Sequence, residues 1–415
     1  VNSEPAIITK MIRSQKILLK PNNEQLKLLR GSSGLARFAW NWAVAICQRH
    51  YAIYGKRGYK YKRPSAFTLI NRWNKIKVRR FPWVSSYSKL IPEQSFRKFD
   101  KAMKAAFKRL VKKQKSGFPK FHKRGIKESF NVIPSSDRPV RLASNRVHLP
   151  RIGMVRFETP LRWPGAVQCY GQVKLRAGRW WLTLSYELPD PPKLPAGRPA
   201  CGIDLGCTTL ATIVSGGEVV EEVKPLKPFV KAKRKVKRLG RMVSRRDKGS
   251  KRRERAKLRL AKAHERVANL RANQLHNLTC RLAKRYGVIV LEDLSVKGLA
   301  GGMLAGTIAD LGFAEFRRQS EYKADAAGTR VVLADRFFPS SKSCSRCGEI
   351  KDDLSLSDRT FRCAGCGLEI GRDHNAGVNL EKLGQSMPEV TCGETGGSSA
   401  RKGRGAGRRT TNAHH

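Results

Sequence analysis

The sequence predicts a multidomain protein that combines α+β and α/β architecture, and three observations carry that expectation. Near Phe118 the hydrophobic period changes from helical, at three to four residues, to alternating. A proline-rich connector over 189–199, PDPPKLPAGRP, then separates this half from one in which strand-like and helix-like stretches follow each other. Two C-x-x-C doublets further on mark a small metal-held ribbon set into the second half. At 415 residues the chain has room for about two or three domains.

Residues 7–20, IITKMIRSQKILLK, place apolar side chains between cations at every second or third position, as an amphipathic strand does, and Pro21 stops it. From Asn22 the pattern predicts one short and one longer helix, with Asn22 or Asn23 as N-cap, a break at Gly31 to Gly34, and Phe38, Trp40 and Trp42 packed inward. Over 91–117 a helix is clearest, because Phe96, Phe99, Met103, Phe107 and Leu110 recur as one apolar stripe before Gly117 and Pro119. Its other side carries Arg97, Lys98, Lys101, Lys104, Lys108, Arg109, Lys112 and Lys113, with Asp100 the only acid among them. A solvated face would alternate signs, so this one is expected to follow phosphates.

Between 118 and 188 short alternating runs such as SFNVIP, NRVHLP, GMVRFE and GQVKLRAGRWWLTLSYEL predict a small antiparallel sheet or barrel, with a hairpin at Ala177 and Gly178. After the connector, ACGIDLGCTTLATIV over 200–214 reads as a buried strand, a turn and a second strand, with Asp204 in the first. Residues 224–286 are the most basic stretch, and Leu258, Ala261, Val267, Leu270, Leu275, Leu278 and Leu282 give them the period of a long helix or helical hairpin closed by Gly287. VIVLE is a short apolar strand ending in Glu292, and DHNAGVNLEKL a helix entered at Asp373. The Gly, Ser and Arg composition of 386–415 predicts a disordered basic tail.

Eighty-five Lys and Arg against 32 Asp and Glu give a formal net charge of +53. So large an excess repels itself unless a polyanion neutralises it, and nucleic acid is the usual one. The cations are spread along the chain rather than gathered in one amphipathic anchor, which argues against a membrane surface. With no long apolar run and no signal-peptide core, a cytoplasmic protein, nucleoid-associated when acting, is expected. Of ten cysteines only four form doublets, which in a reducing compartment suggests metal rather than disulfide.

Those four are Cys344, Cys347, Cys363 and Cys366, each doublet followed by a glycine where a knuckle turn needs one. The spacing fits one structural Zn²⁺ held by four thiolates, with no open position for chemistry. A second group is Asp204, Glu292 and Asp373, far apart in sequence but each at the end of a structured element. Singly, each has a plain explanation: Asp204 accepting backbone hydrogen bonds, Glu292 pairing with a base, Asp373 capping a helix. Together they suit two hard divalent ions over a phosphodiester, since an acid in an apolar strand with no basic neighbour must be paired or coordinated. His264, His276 and His374 are further candidates as ligands or proton shuttles, although a lone helical histidine is more often surface.

The order GIDLGCTTLATI, a basic helical region, VIVLEDLSVKGL, RFFPSSKSCSRCG with FRCAGCG, and GRDHNAGVNL closely resembles the TnpB (OrfB) family of transposon-encoded RNA-guided DNA nucleases, relatives of the compact type V CRISPR effectors. LKPNNEQLKLLRGSSGLARFAWNWAVA and GFPKFHKRGIKESFNV extend the resemblance over almost all of the chain up to about Leu383. It implies a RuvC-like nuclease domain of the RNase H fold over 196–338, including the basic helical region 224–286, with a zinc-ribbon insertion at 339–370 and a last helix at 371–385. It implies also a wedge β-barrel split between 1–20 and 118–195, with a helical recognition lobe at 21–117 inserted in it. Asp204, Glu292 and Asp373 match the family's catalytic triad and would hold two Mg²⁺. Family members often carry Asp where Gly371 stands and Ala where Gly377 stands, and neither departure removes a ligand.

The implied partners are a guide RNA derived from the transposon end and target double-stranded DNA, with no membrane and a monomer favoured. Guide pairing would supply sequence specificity while protein cations hold the heteroduplex by its backbone. A short target-adjacent motif must be read directly. Gln94, able to pair bidentately with adenine, and Tyr54 are candidates, beside the phosphate-facing Lys98, Lys101, Arg109 and Lys112. The expected activity is two-metal hydrolysis of target DNA leaving 5′-phosphate ends. A guided protein acting by occupancy would not need three metal carboxylates, a standalone junction resolvase would need neither the N-terminal lobe nor this charge, and a compact CRISPR effector shares every motif used.

Overall fold

A computed structural model of the protein describes residues 10–54, 63–126, 128–132, 140–206, 208–224, 226–294, 311–355 and 358–387. The chain forms two compact units: one takes it up to Leu194 and again over Pro225–Leu278, the other takes Pro195–Lys224 and everything from Thr279 onward. The expected tail over 386–415 lies, beyond Met387, outside the described residues, as does Cys207.

The first unit is built on a seven-stranded antiparallel sheet in the order β2-β6-β7-β1-β5-β4-β3. Its strands are β1 (Lys10–Lys20), β2 (Ser129–Val132), β3 (Leu142–Ala143), β4 (Arg146–Leu149), β5 (Gly153–Phe157), β6 (Val167–Arg176) and β7 (Arg179–Pro189). β1 pairs with β7 along its length and with β5 at its end, so one strand serves both halves of the sheet. Gln15, Ile17 and Leu19 are buried while Lys16 and Lys20 are exposed, the alternation of a sheet with one face in the core. The hairpin lies where the turn residues put it, with φ of 47° at Ala177 and 77° at Gly178, as a two-residue primed turn requires.

Three helices share the core of this sheet: α1 (Asn23–Tyr54), α2 (Ala66–Arg80) and α3 (Leu90–Val111). The break expected at Gly31 to Gly34 is absent and α1 runs through it. Gly31 is instead a place of close approach, where the ring of Tyr87 occupies the space a Cβ would fill. Trp73 of α2 packs against Trp42 and Phe96, with ring centroids 5.5 and 5.7 Å away, so the aromatics of these helices are packing residues. On α3, Phe96, Phe99 and Met103 are buried but Phe107 and Leu110 are 37% and 51% exposed, because the stripe outruns the surface it packs on. The helix stops at Val111, well before Gly117, with Lys113 left-handed at φ 53°.

The basic region 224–286 is a helical hairpin, α4 (Lys227–Ser244) and α5 (Lys251–Arg285). Over Pro225–Leu278 it groups with the antiparallel sheet in the first unit, whereas the sequence places it within 196–338. The reason is a buried acid. Glu265 of α5, 3% exposed, meets Arg179 at 2.7 Å, Arg176 at 3.5 Å and Lys16 at 3.9 Å, cations of β7, β6 and β1. Leu258 of α5 fills the space above Gly178 at the hairpin turn. Glu265→Gln would leave those cations facing one another and is expected to destabilise this unit by about 2 kcal/mol, the lower side of a broken buried pair because the cations are half-exposed. Denaturant unfolding of the variant against the parent measures it.

The second unit holds a five-stranded sheet in the order β10-β9-β8-β11-β12, from β8 (Ala200–Asp204), β9 (Ala211–Ser215), β10 (Glu218–Val223), β11 (Val288–Glu292) and β12 (Arg330–Ala334). β8, β9 and β10 form an antiparallel meander, whereas β11 runs parallel to both β8 and β12. The cores of β8 and β11 are buried on successive residues, as in strands covered on both faces. Helix α6 (Phe313–Ala327) leads into β12, and the small hairpin of β13 (Thr360–Arg362) and β14 (Glu369–Gly371) leads into α7 (Arg372–Ser386), which lies on β8, β9 and β11.

Two glycines permit that last contact. A Cβ on Gly202 would strike the carbonyl of Gly377 and the amide of Glu381, and one on Gly377 would strike Val214. Arg198, just before β8, donates to the carbonyls of Ala283, Tyr286, Ala327 and Gly328 at 2.8 to 3.3 Å, so one guanidinium serves the C-terminal ends of α5 and α6. No helix among the described residues is long and apolar enough to cross a membrane.

Candidate active site and metal centre

β8 and β11 run parallel with Ile203 paired to Leu291, so the residues that follow, Asp204 and Glu292, stand side by side at the C-terminal ends of adjacent strands. Asp373 lies in the first turn of α7, the helix packed on β8. The three charges act on one another. Burial first, then the charge of Glu292 and that of Asp373, push the Asp204 carboxyl up to about 8, against the pull of Arg372 and of a backbone hydrogen bond from Leu205. The structure therefore brings together all three acids predicted from the sequence.

This donor set is hard oxygen without histidine, which suits Mg²⁺-like ions. His374 turns from it to the carbonyl of Gly217, at 2.8 Å, and His264 and His276 are exposed on α5. The carboxylates do not close into one tight ligand knot: among the described residues only the four cysteines have their ligand atoms all within 4.8 Å of one another. Glu292 accepts a hydrogen bond from the hydroxyl of Ser340, while its neighbour Asp293 is held by Arg317 at 2.6 Å and Arg336 at 3.4 Å. A cavity of about 370 Å³ opens beside Glu292, lined by Leu205, Phe313, Arg317, Arg318 and Arg336.

Cys344, Cys347, Cys363 and Cys366 form a cage ready for a tetrahedral ion. Each knuckle turns on a left-handed glycine, Gly348 at φ 82° and Gly367 at φ 66°. Burial opposes ionisation of Cys344, but backbone N–H groups of Cys347 and Arg346 and the neighbouring thiols bring it down to about 6, the form a metal needs. Outside the cage, the Glu349 carboxylate accepts from the Gly365 amide at 2.7 Å and from the Cys363 thiol at 3.0 Å.

Of the proposed nucleic-acid contacts, Lys101 and Arg109 are exposed along α3, Lys112 is exposed just past its end, and Tyr54 is 48% exposed at the end of α1. Gln94 is half-buried. Lys98 is spent internally: its ammonium donates to Asn131 of β2 at 2.7 Å, and burial lowers its pKa. A larger basic surface lies in a groove of about 970 Å³ lined by Arg179, Lys235, Arg238, Arg259, Lys262 and Arg266, among others, with Glu265 the only acid on its wall.

Sequence reasoning missed Glu381, Ser340, Asn375 and Asn379. Glu381, 3% exposed on α7, accepts the amides of Gly216 and Gly217 at 2.6 and 3.0 Å and so fixes the β9–β10 turn. Asn375 and Asn379 are a helical turn apart, and that spacing in DHNAGVN was the only available sign that they share a face.

Comparison with known proteins bears on the whole arrangement. Residues 183–302 match the OrfB_IS605 family, described as a probable transposase, residues 313–380 the Cas12f1-like TNB domain, and residues 11–56 the helix-turn-helix domain of OrfB_IS605. In this chain that last stretch is β1 followed by the single helix α1. A protein of Streptomyces pristinaespiralis named as a candidate RNA-guided DNA endonuclease is 30% identical over 384 residues, covering 92% of this chain and 91% of its own. InsQ of Escherichia coli, named likewise, is 27% identical over 93% of this chain and 95% of its own length. Among solved structures, the Cas12f1 chain of a Cas12f1-sgRNA-target DNA complex superposes with a TM-score of 0.57 at 14% identity, over 90% of this chain and 99% of that one, a likeness of fold. With a relative at this identity aligned over nine-tenths of both sequences, and with the acids and cysteines assembled as above, the chain belongs to the TnpB (OrfB) family.

Proposed function

We propose that this protein is an RNA-guided DNA endonuclease that binds a guide RNA on its basic surfaces, reads a short motif beside the target and hydrolyses the target DNA at Asp204, Glu292 and Asp373. One observation carries the reading: three acids from separate elements meet at the ends of β8, β11 and the start of α7, where burial first and then the charges of Glu292 and Asp373 push Asp204 up to about 8. Such mutual repulsion is a cost to the fold that a cation would relieve. The second unit is read as RuvC-like, of the RNase H fold, because a three-stranded antiparallel meander is extended by two parallel strands and covered by a helix carrying the last acid. The first unit is read as a wedge barrel with a recognition lobe in α1, α2 and α3.

Two divalent ions, Mg²⁺ by preference, would supply activation of the attacking water and stabilisation of the leaving oxygen. The chain's own residues do the rest. Asp204 and Glu292, fixed by the β8–β11 register, and Asp373, fixed by the seating of α7, would hold the ions; Ser340 orients Glu292; and Arg317, Arg318 and Arg336, each paired with an acid, make the wall of the adjoining cavity cationic toward a DNA backbone. One Zn²⁺ would sit in the cysteine cage, where four thiolates leave no open position for chemistry.

The test begins with the RNA that co-purifies with the protein. Once sequenced, its guide segment is reprogrammed against a plasmid whose flanking bases are randomised. Mg²⁺-dependent cuts with 5′-phosphate ends, confined to matched sites with one flanking motif and abolished by EDTA, are expected. Guided binding without cutting would instead favour action by occupancy, and a protein that carries no RNA and binds no matched site is not guided at all.

A further inference from the structure

The sequence casts the cysteine ribbon as a staple, holding its own fold and nothing else. Its attachment says more. The segment from Ser340 to Ser345, which contains Cys344, is bound to α7 by two asparagine side chains. Asn379, 9% exposed, donates to the carbonyls of Ser340 and Ser343 at 2.8 and 2.7 Å. Asn375, fully buried, donates to Ser343 at 2.7 Å and accepts the Ser345 amide at 2.9 Å. Lys382 donates to the Ser345 carbonyl. At the other end of the segment the Ser340 hydroxyl reaches the Glu292 carboxylate.

One short strap thus joins three things: a thiolate of the cage, a carboxylate of the cluster, and the helix that starts at Asp373. Neither end can shift alone, because movement of the strap would leave buried amides without partners, and buried polar groups are paired in folded proteins. Outer groups that orient a metal ligand govern affinity for the metal as well.

We propose that Ser340, held by Asn379 and tied through Asn375 to Cys344, is a positioning residue for Glu292, so that zinc in the ribbon and divalent metal at the carboxylates bind cooperatively. This rests on the carboxylates being a metal site, as proposed above. Linkage makes the coupling reciprocal: the factor by which zinc tightens binding at the carboxylates is the factor by which that binding tightens zinc.

The measurement is a binding cycle on the full chain, independent of cleavage. Mg²⁺ affinity is taken by calorimetry with the ribbon zinc-loaded and zinc-stripped, and zinc affinity by chelator competition with and without saturating Mg²⁺. A roughly tenfold change is expected in both directions, the size seen when an outer partner of a ligand is lost. Ser340→Ala should reduce the factor to near one while Cd²⁺ bound in the ribbon keeps its thiolate absorption, and Ser340→Thr should restore it. Equal Mg²⁺ affinity with and without zinc in the parent protein overturns the proposal. Asp204→Ala separates the two readings: if it leaves Mg²⁺ binding unchanged, the assignment of the carboxylate site fails, whereas if it abolishes Mg²⁺ binding and zinc still has no effect, only the coupling does.

Discussion

Asp204→Asn is expected to stop DNA cleavage, by roughly 10³-fold or more as for loss of one member of a catalytic set, and yet to make the metal-free protein more stable above about pH 5. The second effect follows from the burial of the carboxyl. In the folded chain burial, then the charges of Glu292 and Asp373, push the Asp204 carboxyl up from its ordinary 3.8 to about 8. Between those values the folded state holds a proton that the unfolded chain has released, so stability falls as pH rises, by at most ~1.4 kcal/mol per unit, and the loss is complete above about pH 8. Asparagine cannot ionise and escapes that loss. Melting curves in chelator from pH 4 to 9 should coincide for parent and variant at the acid end and separate steadily toward pH 8. Adding Mg²⁺ should rescue the parent alone, increasingly with pH, since the ion displaces the proton. Normal cutting by the variant would falsify the assignment.

Gly202→Ala is expected to be the most damaging small substitution in the second unit. The new methyl would lie against the Gly377 carbonyl and the Glu381 amide, both backbone and neither able to swing aside. Helix α7 must therefore lift from β8, taking with it Asp373, the buried Glu381 that fixes the β9–β10 turn, and both asparagines of the strap. A loss of about 3 kcal/mol or more is expected from overpacking of this kind, with cleavage lost as well. Gly240→Ala on α4 is the matched control: nothing lies within 4 Å of its added Cβ, so it should stabilise by up to about 1 kcal/mol through helix propensity. Chemical denaturation and limited proteolysis of the two variants distinguish them. Gly377 is the softer position, since its nearest neighbour is the side chain of Val214 rather than backbone.

What could be read from the residues alone had local causes. The β6–β7 hairpin announces itself through alternation and a turn residue at each necessary place, and the cysteine cage through two doublets with their glycines. Asp204 was legible because an acid without a basic neighbour in an apolar strand demands an explanation. The failures are tertiary. A glycine that breaks a helix and one that admits a ring look the same in sequence, and the ring that settles Gly31 belongs to Tyr87, far along the chain. Glu265 was one acid in a basic run until β1, β6 and β7 surrounded it, so the hairpin's allegiance to the first unit was invisible. Lys98 carried the same charge as its neighbours on α3, and only the position of Asn131 turned it inward. Ser340, Asn375 and Asn379 have meaning solely through partners that the fold supplies.

The placement of the last carboxylate on α7 has a consequence in time. A ribosome releases Asp204 early, Glu292 later and Asp373 only after every strand of the five-stranded sheet has been made. Until α7 arrives, the face of β8 around Gly202 stands bare and the acid cluster is incomplete. A chain cut short before that helix would lack both Asp373 and the cover of β8, so a truncation ahead of Arg372 is expected to leave the acid cluster incomplete even though every strand of the sheet is present.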